Sequence, residues 1–367
     1  MNIPFFSTYI HPTASEKVGD VLRSTFLSEG RLVKAFEIQL SRQLGFVNPV
    51  ALNSGTTALH LALVLAGIGV GDEVICTPQT FIATALVIVQ QGAIPVFADI
   101  QYETGNIDPQ SIKDKITEKT KAIMAVHWGG YPCDMDEITE IANRHQLILI
   151  EDAAHAPGAT YKGKPIGSIA DYTCFSFQAI KHITTGDGGA VCCLDEEKAT
   201  EAFTRRWFGI NRVIAQPSEL GERVYDVEKL GFKYHLNDYA AVLGLANLLD
   251  IEQRLSELRS IVQRYDAAFE NVSGLQLFTR KNDRQNANWL YGMHVEQRLD
   301  FIRALRSRGI PASVVHLRID NNSIFGGIKE ELVNQAKFNE TQVHIPIHNG
   351  LTNEMVQCII DAVLEGW

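Results

Sequence analysis

Short apolar runs alternate with stretches of helical spacing along most of this chain. After an early Pro-Phe-Phe segment, VGDVLRSTFLSEGRLVKAFEIQLSRQLG has helical apolar spacing interrupted at Ser28-Glu29-Gly30, which predicts two helices around a turn. Val50-Ala51-Leu52, Asn53-Ser54-Gly55-Thr56-Thr57 and the apolar run 58–63 then read as strand, tight turn and helix. GDEVICTPQTFIATALVIVQQGAIPVFADI adds strand, Pro turn, helix and strand, and residues 121–127 add a further apolar strand before a Gly-Pro loop and a helix over 136–145. The runs 147–150, 172–177 and 190–194 are apolar, as strands buried on both faces of a parallel sheet should be. Residues 196–221 turn polar and irregular, and 239–269 carry helical spacing with no Pro, predicting one long helix that bridges two domains. Strands at 275–278, 291–296, 312–316 and 343–346 with helices at 297–308 and 352–364 predict a small α/β domain. The expected class is α/β: a large domain, 1–237, with an N-terminal arm and a mostly parallel central sheet flanked by helices, and a smaller C-terminal α/β domain, 238–367.

Composition narrows the function. At 367 residues and 46% apolar content the chain can bury a core large enough for two domains. A formal charge of −10 excludes the broad basic face that nucleic acid requires, so any anionic ligand has to be met locally by Gly-rich turns, helix N-termini or single basic side chains. Apolar stretches are broken by Gly, Gln or charge before reaching the length of a membrane span, and MNIPFFSTYIHP lacks the basic-then-apolar order of a leader. A soluble, cytoplasmic protein with no membrane partner is expected. Six cysteines without CxxC spacing predict buried thiols and no metal.

The chemistry concentrates in residues 151–189, EDAAHAPGATYKGKPIGSIADYTCFSFQAIKHITTGDGG. Asp152 follows an apolar strand, at the edge where open α/β sheets bind ligands. Alone, an aspartate there is most often a helix cap. Lys181 lies between a second apolar strand and Thr184-Thr185-Gly186-Asp187-Gly188-Gly189, where a lone lysine would be a solvated surface residue. Taken together, an amine on turn-rich backbone and a carboxylate on a neighbouring strand end suit a pyridoxal phosphate enzyme, the lysine linking the cofactor and the carboxylate keeping its ring nitrogen protonated. At the mouth of the early helix, Ser54 and the threonines either cap it or, with the free amides, seat an anion.

In these residues the chain resembles the nucleotide-sugar aminotransferases, the DegT-type branch of the fold type I pyridoxal phosphate enzymes. Their motif E-D-A-A-x-A-x-G-A followed by F-S-F-x-x-x-K-x-x-T-T-G-E-G-G is matched almost throughout, with Asp187 in place of Glu. The resemblance implies that Lys181 and Asp152 are catalytic and that both bind pyridoxal 5'-phosphate. It further implies that Gly55 and Thr56 of the N-S-G-T turn hold the phosphate with help from Ser176. Phe81 would lie on the ring face. His155, where the family most often has Gln, would touch the ring or its hydroxyl, or else simply pack against a helix.

At residues 231–238 the family pattern G-x-N-x-R-M is altered, with Lys233 and His235 replacing Asn and Arg. The family's Asn reaches the cofactor phosphate of the partner subunit, so Lys233 is expected to do so here, within a homodimer of shared active sites. His316 and Arg318 match a region bordering the substrate cleft; on a strand they would share a face, and they either meet a carboxylate or diphosphate or, as such a pair more often does, form a solvated edge. The implied reaction moves an amino group from L-glutamate to a keto group of a nucleotide-linked deoxysugar, in amino-sugar biosynthesis for surface polysaccharide or a glycosylated metabolite. Lys181 argues against the related dehydratases, whose lysine is a histidine. A cyclitol aminotransferase or a non-catalytic, cofactor-binding regulator would keep the same residues.

Overall fold

The computed structural model describes residues 3–367. Helices α1 (Ala14–Ser24) and α2 (Arg31–Leu44) flank the predicted turn. The α/β core follows as β1 (Pro49–Leu52), α3 (Gly55–Leu65), β2 (Glu73–Cys76), α4 (Ala83–Gln90), β3 (Ile94–Phe97), α5 (Pro109–Lys115), β4 (Thr120–Val126), α6 (Met135–His145) and β5 (Ile148–Asp152). A small hairpin, β6 (Thr160–Tyr161) and β7 (Lys164–Pro165), precedes β8 (Tyr172–Ser176) and β9 (Gly189–Cys193).

Seven strands form one sheet in the order β1-β9-β8-β5-β4-β2-β3. All neighbours pair parallel except those of β9, which runs reversed between β1 and β8. Alternate side chains of its central strands enter two cores: Ile123, Leu149 and Phe175 pack under one face, Met124, Ile150 and Cys174 under the other. Burial on both faces explains why these strands read as unbroken apolar runs.

The stretch expected to be irregular begins instead as helix α7 (Glu196–Arg205), capped by the Asp195 carboxylate on the amides of Glu197 and Lys198. An exposed hairpin, β10 (Gln216–Pro217) and β11 (Arg223–Val224), follows. The predicted bridging helix is two helices, α8 (Asp238–Asn247) and α9 (Ile251–Phe269). Tertiary bonds compete for the break: the Asn247 side chain donates to the Thr184 carbonyl and accepts the His11 amide, and its own carbonyl takes Arg254. Helix α8 packs on α1 and α2, and Leu248, Ile251 and Leu255 still belong to the first core. Only from Leu258 does α9 enter the third core, so the change of core falls inside α9 rather than at residue 238.

That third core lies between α9, α10 (Arg298–Ser307), α12 (Asn353–Leu364) and the antiparallel sheet of β12 (Leu275–Leu277), β14 (Tyr291–Val295) and β15 (Gln342–Ile345). Strand β13 (Arg284–Gln285) pairs with β6 instead, tying the C-terminal part to the large sheet. Helix α11 (Val333–Thr341) was not predicted, and residues 312–316 form no strand, making a single bridge between Ser313 and His344. No helix among the described residues is long and apolar enough to cross a membrane. All six cysteines are unpaired, five of them buried, and no metal-ligating cluster occurs among the described residues.

Candidate active site

The carboxyl ends of β1, β2, β4, β5 and β8 open onto a cavity of about 690 Å³, within the size range of small-molecule sites. Asp152, the last residue of β5, is buried there between Val126 and Cys174 of the neighbouring strands. Its carboxylate accepts the Thr84 hydroxyl at 2.7 Å and the Ala154 amide at 3.2 Å. Thr80 Oγ1 lies 2.7 Å from Thr84 Oγ1 and completes a relay from the Pro turn to the carboxylate. Burial raises the Asp152 carboxyl above its ordinary range, against the pull of Thr84, Ala154 and Lys181. Beneath it, His127 Nδ1 accepts the Cys133 amide at 3.1 Å, which leaves the Nε2 proton to face Glu151 at 3.2 Å.

Lys181 enters from a turn held by its own amide on the Gln178 carbonyl and by the Thr185 amide on the Phe177 carbonyl. Its ammonium nitrogen stands 3.4 Å from the centre of the Trp289 ring. Burial lowers the amine to about 7, with Asp152 opposing the fall. Such an amine is partly neutral, and therefore nucleophilic, near pH 7. Trp289 is fixed by its indole N–H on the Ile180 carbonyl at 3.0 Å, and the His155 ring stacks on it at 3.8 Å. His155 is held neutral by burial, and its Nδ1 has no partner. Gly130 sits below, at φ +95, where a Cβ would meet the His155 carbonyl at 2.6 Å. The amides of Ala287 and Trp289 bond to Gly130 and Gly129, so this glycine turn carries both His155 and the Trp289 loop.

Across the cavity, Ser54 caps α3 by accepting the Thr57 amide at 3.1 Å. The amides of Gly55 and Thr56 precede the first intrahelical bond and are left for a ligand. A Cβ on Gly55 would lie 2.9 Å from Ser176 Cβ; only glycine lets the helix mouth approach β8 this closely. Ser54, Gly55, Thr56 and Ser176 therefore form a cradle of hydroxyls and amides suited to a phosphate. Phe81 stands at the rim, its ring 5.4 Å from that of His316.

Residues 9–364 match the DegT/DnrJ/EryC1/StrS aminotransferase family. The chain belongs to that family. It is 31% identical over 368 residues to a GDP-perosamine synthase of Escherichia coli O157:H7, covering 99% of this chain and 98% of that one. Among solved structures, the sugar aminotransferase CalS13 of Micromonospora echinospora superposes with a TM-score of 0.94 at 33% identity, covering 100% of both chains. Spr1654 of Streptococcus pneumoniae, described as a sugar aminotransferase and solved in a PLP form, superposes with a TM-score of 0.92 at 31% identity over 100% of this chain and 98% of that one.

Within this family member the cavity gathers Lys181, Asp152, Gly55, Thr56, Phe81, His155, Ser176 and His316. Two expected residues lie elsewhere. Arg318 is buried with its guanidinium on Asp320 at 2.7 and 2.6 Å and on the Lys329 carbonyl at 3.0 Å, turned away from the cavity. It does not share a face with His316 because the chain here is no strand: Arg318 already opens the short 3-10 turn at Ile319–Asn321. Lys233 is exposed, its ammonium 5.2 Å from the Trp207 ring and its carbonyl accepting Asn53 Nδ2 at 3.2 Å, outside the chain's own cavity. The sequence reading missed Thr84, Trp289 and the N-terminal Phe5 and Phe6, which also line the cavity. Thr84 had a signal, standing one helical turn after Thr80; Trp289 had none.

Proposed function

We propose that this chain is a pyridoxal phosphate-dependent aminotransferase that places an amino group, taken from L-glutamate, on a keto carbon of a nucleotide-linked deoxysugar, as a homodimer with shared sites. The observation that carries the reading is the buried Asp152 carboxyl and the half-buried Lys181 amine, facing one cavity beside an anion cradle that a single Cβ at Gly55 would fill. The residues fit the cofactor at both ends. Hydroxyls and free amides of Ser54, Gly55, Thr56 and Ser176 suit its phosphate, and the Asp152 carboxylate suits a protonated ring nitrogen.

When bound, pyridoxal phosphate supplies an aldehyde that condenses with amines and a protonated ring that draws electrons from the donor's α-carbon. Asp152, fixed by Thr84 and Ala154, holds the proton on the ring nitrogen. Lys181 would be the residue that links the cofactor covalently between turnovers. Its amine, when not engaged in that link, would serve as the base and acid that moves the proton of the reacting carbon in either half-reaction. Phe5, Phe6 and Trp289 line the cavity with the amine.

Lys181 is the only lysine or arginine lining the cavity among the described residues, and a second subunit would supply positive charge for a diphosphate. The exposed apolar side chains Val213, Ile214, Leu220 and Val224 around the β10–β11 hairpin support such a partner face.

The reading is tested by trapping with borohydride followed by peptide mapping. The label is expected on Lys181 alone, and Lys181→Ala should bind the cofactor without covalent attachment and lose turnover with L-glutamate. A label on another lysine would sink the assignment.

A further inference from the structure

Three glutamines with no solvent exposure, Gln79, Gln335 and Gln342, meet behind the cavity wall from three separate elements: the turn after β2, helix α11 and strand β15. Gln79 Oε1 accepts Gln335 Nε2 at 2.9 Å and Gln342 Nε2 at 3.4 Å, and Gln79 Nε2 donates to Gln342 Oε1 at 3.3 Å. What remains of their donor capacity converges on one atom: the His316 carbonyl accepts Gln342 Nε2 at 3.2 Å and Gln79 Nε2 at 3.4 Å. Apolar side chains could fill this volume without desolvating three amides, so the cluster is costly unless it fixes something.

What it fixes is a strained turn. The His316 amide donates to the Val314 carbonyl at 2.6 Å, closing a three-residue turn whose middle residue, Val315, has φ +56. A β-branched residue avoids that region, and such turns persist only where surrounding bonds over-determine them. Here Ser313 exchanges both backbone bonds with His344 at 3.1 and 2.7 Å, and the Ile319 amide bonds to the Pro78 carbonyl at 2.9 Å. The turn after β2 carries Pro78, Gln79 and, at its end, Phe81, so the cluster locks the Phe81 wall and the His316 wall into one unit.

We propose that Gln79 and Gln342 are positioning residues that act through His316, holding its carbonyl so that the strained turn presents the imidazole and the Val315 side chain to the sugar half of the substrate. The inference rests on the sugar-aminotransferase reading above. The wall itself selects between the two substrates. Pro311, Ala312 and Val315 give it apolar surface, Arg318 is committed to Asp320, and burial together with Lys181 keeps His316 neutral, lowered to about 4. A neutral imidazole can give and take a hydrogen bond with a hydroxyl. It offers no charge to the two carboxylates of glutamate.

The test uses holoenzyme with Gln79→Leu and Gln342→Leu, which keep bulk and remove the amides. Hydrogen exchange followed by mass spectrometry should show the 313–317 amides opening about tenfold faster in both variants, with the 55–65 helix unchanged. Cofactor absorbance then follows two half-reactions, L-glutamate and GDP-perosamine each converting the aldehyde form. The KM for GDP-perosamine should rise about tenfold at nearly constant kcat, and the L-glutamate reaction should be unchanged. Unaltered exchange at 313–317, or equal losses in the two half-reactions, overturns the inference. If the wild type ignores GDP-perosamine, that result counts against this sugar as substrate, and the exchange experiment alone then decides whether the glutamines hold the turn.

Discussion

At the residue scale, the Lys181 amine stands half-buried in the cavity, and its surroundings tune it for reaction. Burial takes it from the ordinary lysine value to about 7, and Asp152 keeps it from falling further. Only the neutral amine attacks an aldehyde, so uptake of pyridoxal phosphate by the apoprotein should accelerate as pH rises through about 7 and level off above it. Removing the carboxylate with Asp152→Asn deletes the influence that raises the amine, and the midpoint should move to lower pH. A rate that keeps climbing toward the ordinary lysine range would show that the amine is solvated. Asp152 and Lys181 were legible in the sequence because one ends an apolar strand and the other lies on the turn that follows one, where local pattern and motif spacing say the same thing. Trp289 and Gln79 were not legible. Trp289 reaches Lys181 through a loop 108 residues later in the chain, and Gln79 reads as an ordinary turn residue until α11 and β15 bring two more amides to it.

At the scale of elements, the mouth of α3 is where backbone geometry rather than side-chain chemistry makes the site. The Ser54 cap leaves the Gly55 and Thr56 amides free, and the absence of a Cβ at Gly55 lets β8 bring Ser176 alongside. Gly55→Ala should therefore push the helix mouth off Ser176. The expected result is binding of pyridoxamine phosphate weakened by about tenfold or more, because amides and a hydroxyl no longer converge on one phosphate. Equilibrium dialysis measures it without any covalent tether, and unchanged affinity would show that the phosphate lies elsewhere. Elements were harder to read where long-range bonds override local preference. Residues 239–269 have uninterrupted helical spacing, yet the Asn247 bonds to His11, Thr184 and Arg254 split them into α8 and α9. Helix α7 was hidden by its polarity, since it buries little beyond Ala202. The strand expected at 312–316 became the strained turn because two buried glutamines hold the His316 carbonyl.

On the scale of the whole molecule, the puzzle is charge: in the proposed reaction a chain of net charge −10 would bind a phosphorylated cofactor and the diphosphate of a nucleotide-linked sugar, with Lys181 the one lysine or arginine lining its own cavity among the described residues. Lys233 sits outside that cavity but close to its phosphate end, because its carbonyl holds the side chain of Asn53, the residue before the Ser54 cap. Its ammonium is exposed and has no carboxylate within ion-pair distance among the described residues, resting instead near Trp207. In a homodimer that shares its sites, this free charge would approach the cofactor phosphate of the second subunit, as a point charge without fixed geometry. Lys233→Ala should then weaken retention of pyridoxamine phosphate while leaving the dimer intact by sedimentation. Added salt should weaken the wild type and leave the variant nearly unaffected, since an exposed contact of this kind is screened within about 10 Å at 0.1 M. Equal retention by both proteins across the salt series would assign the phosphate wholly to Ser54, Gly55, Thr56 and Ser176, and the charge for the diphosphate would have to be sought on other residues of the partner face.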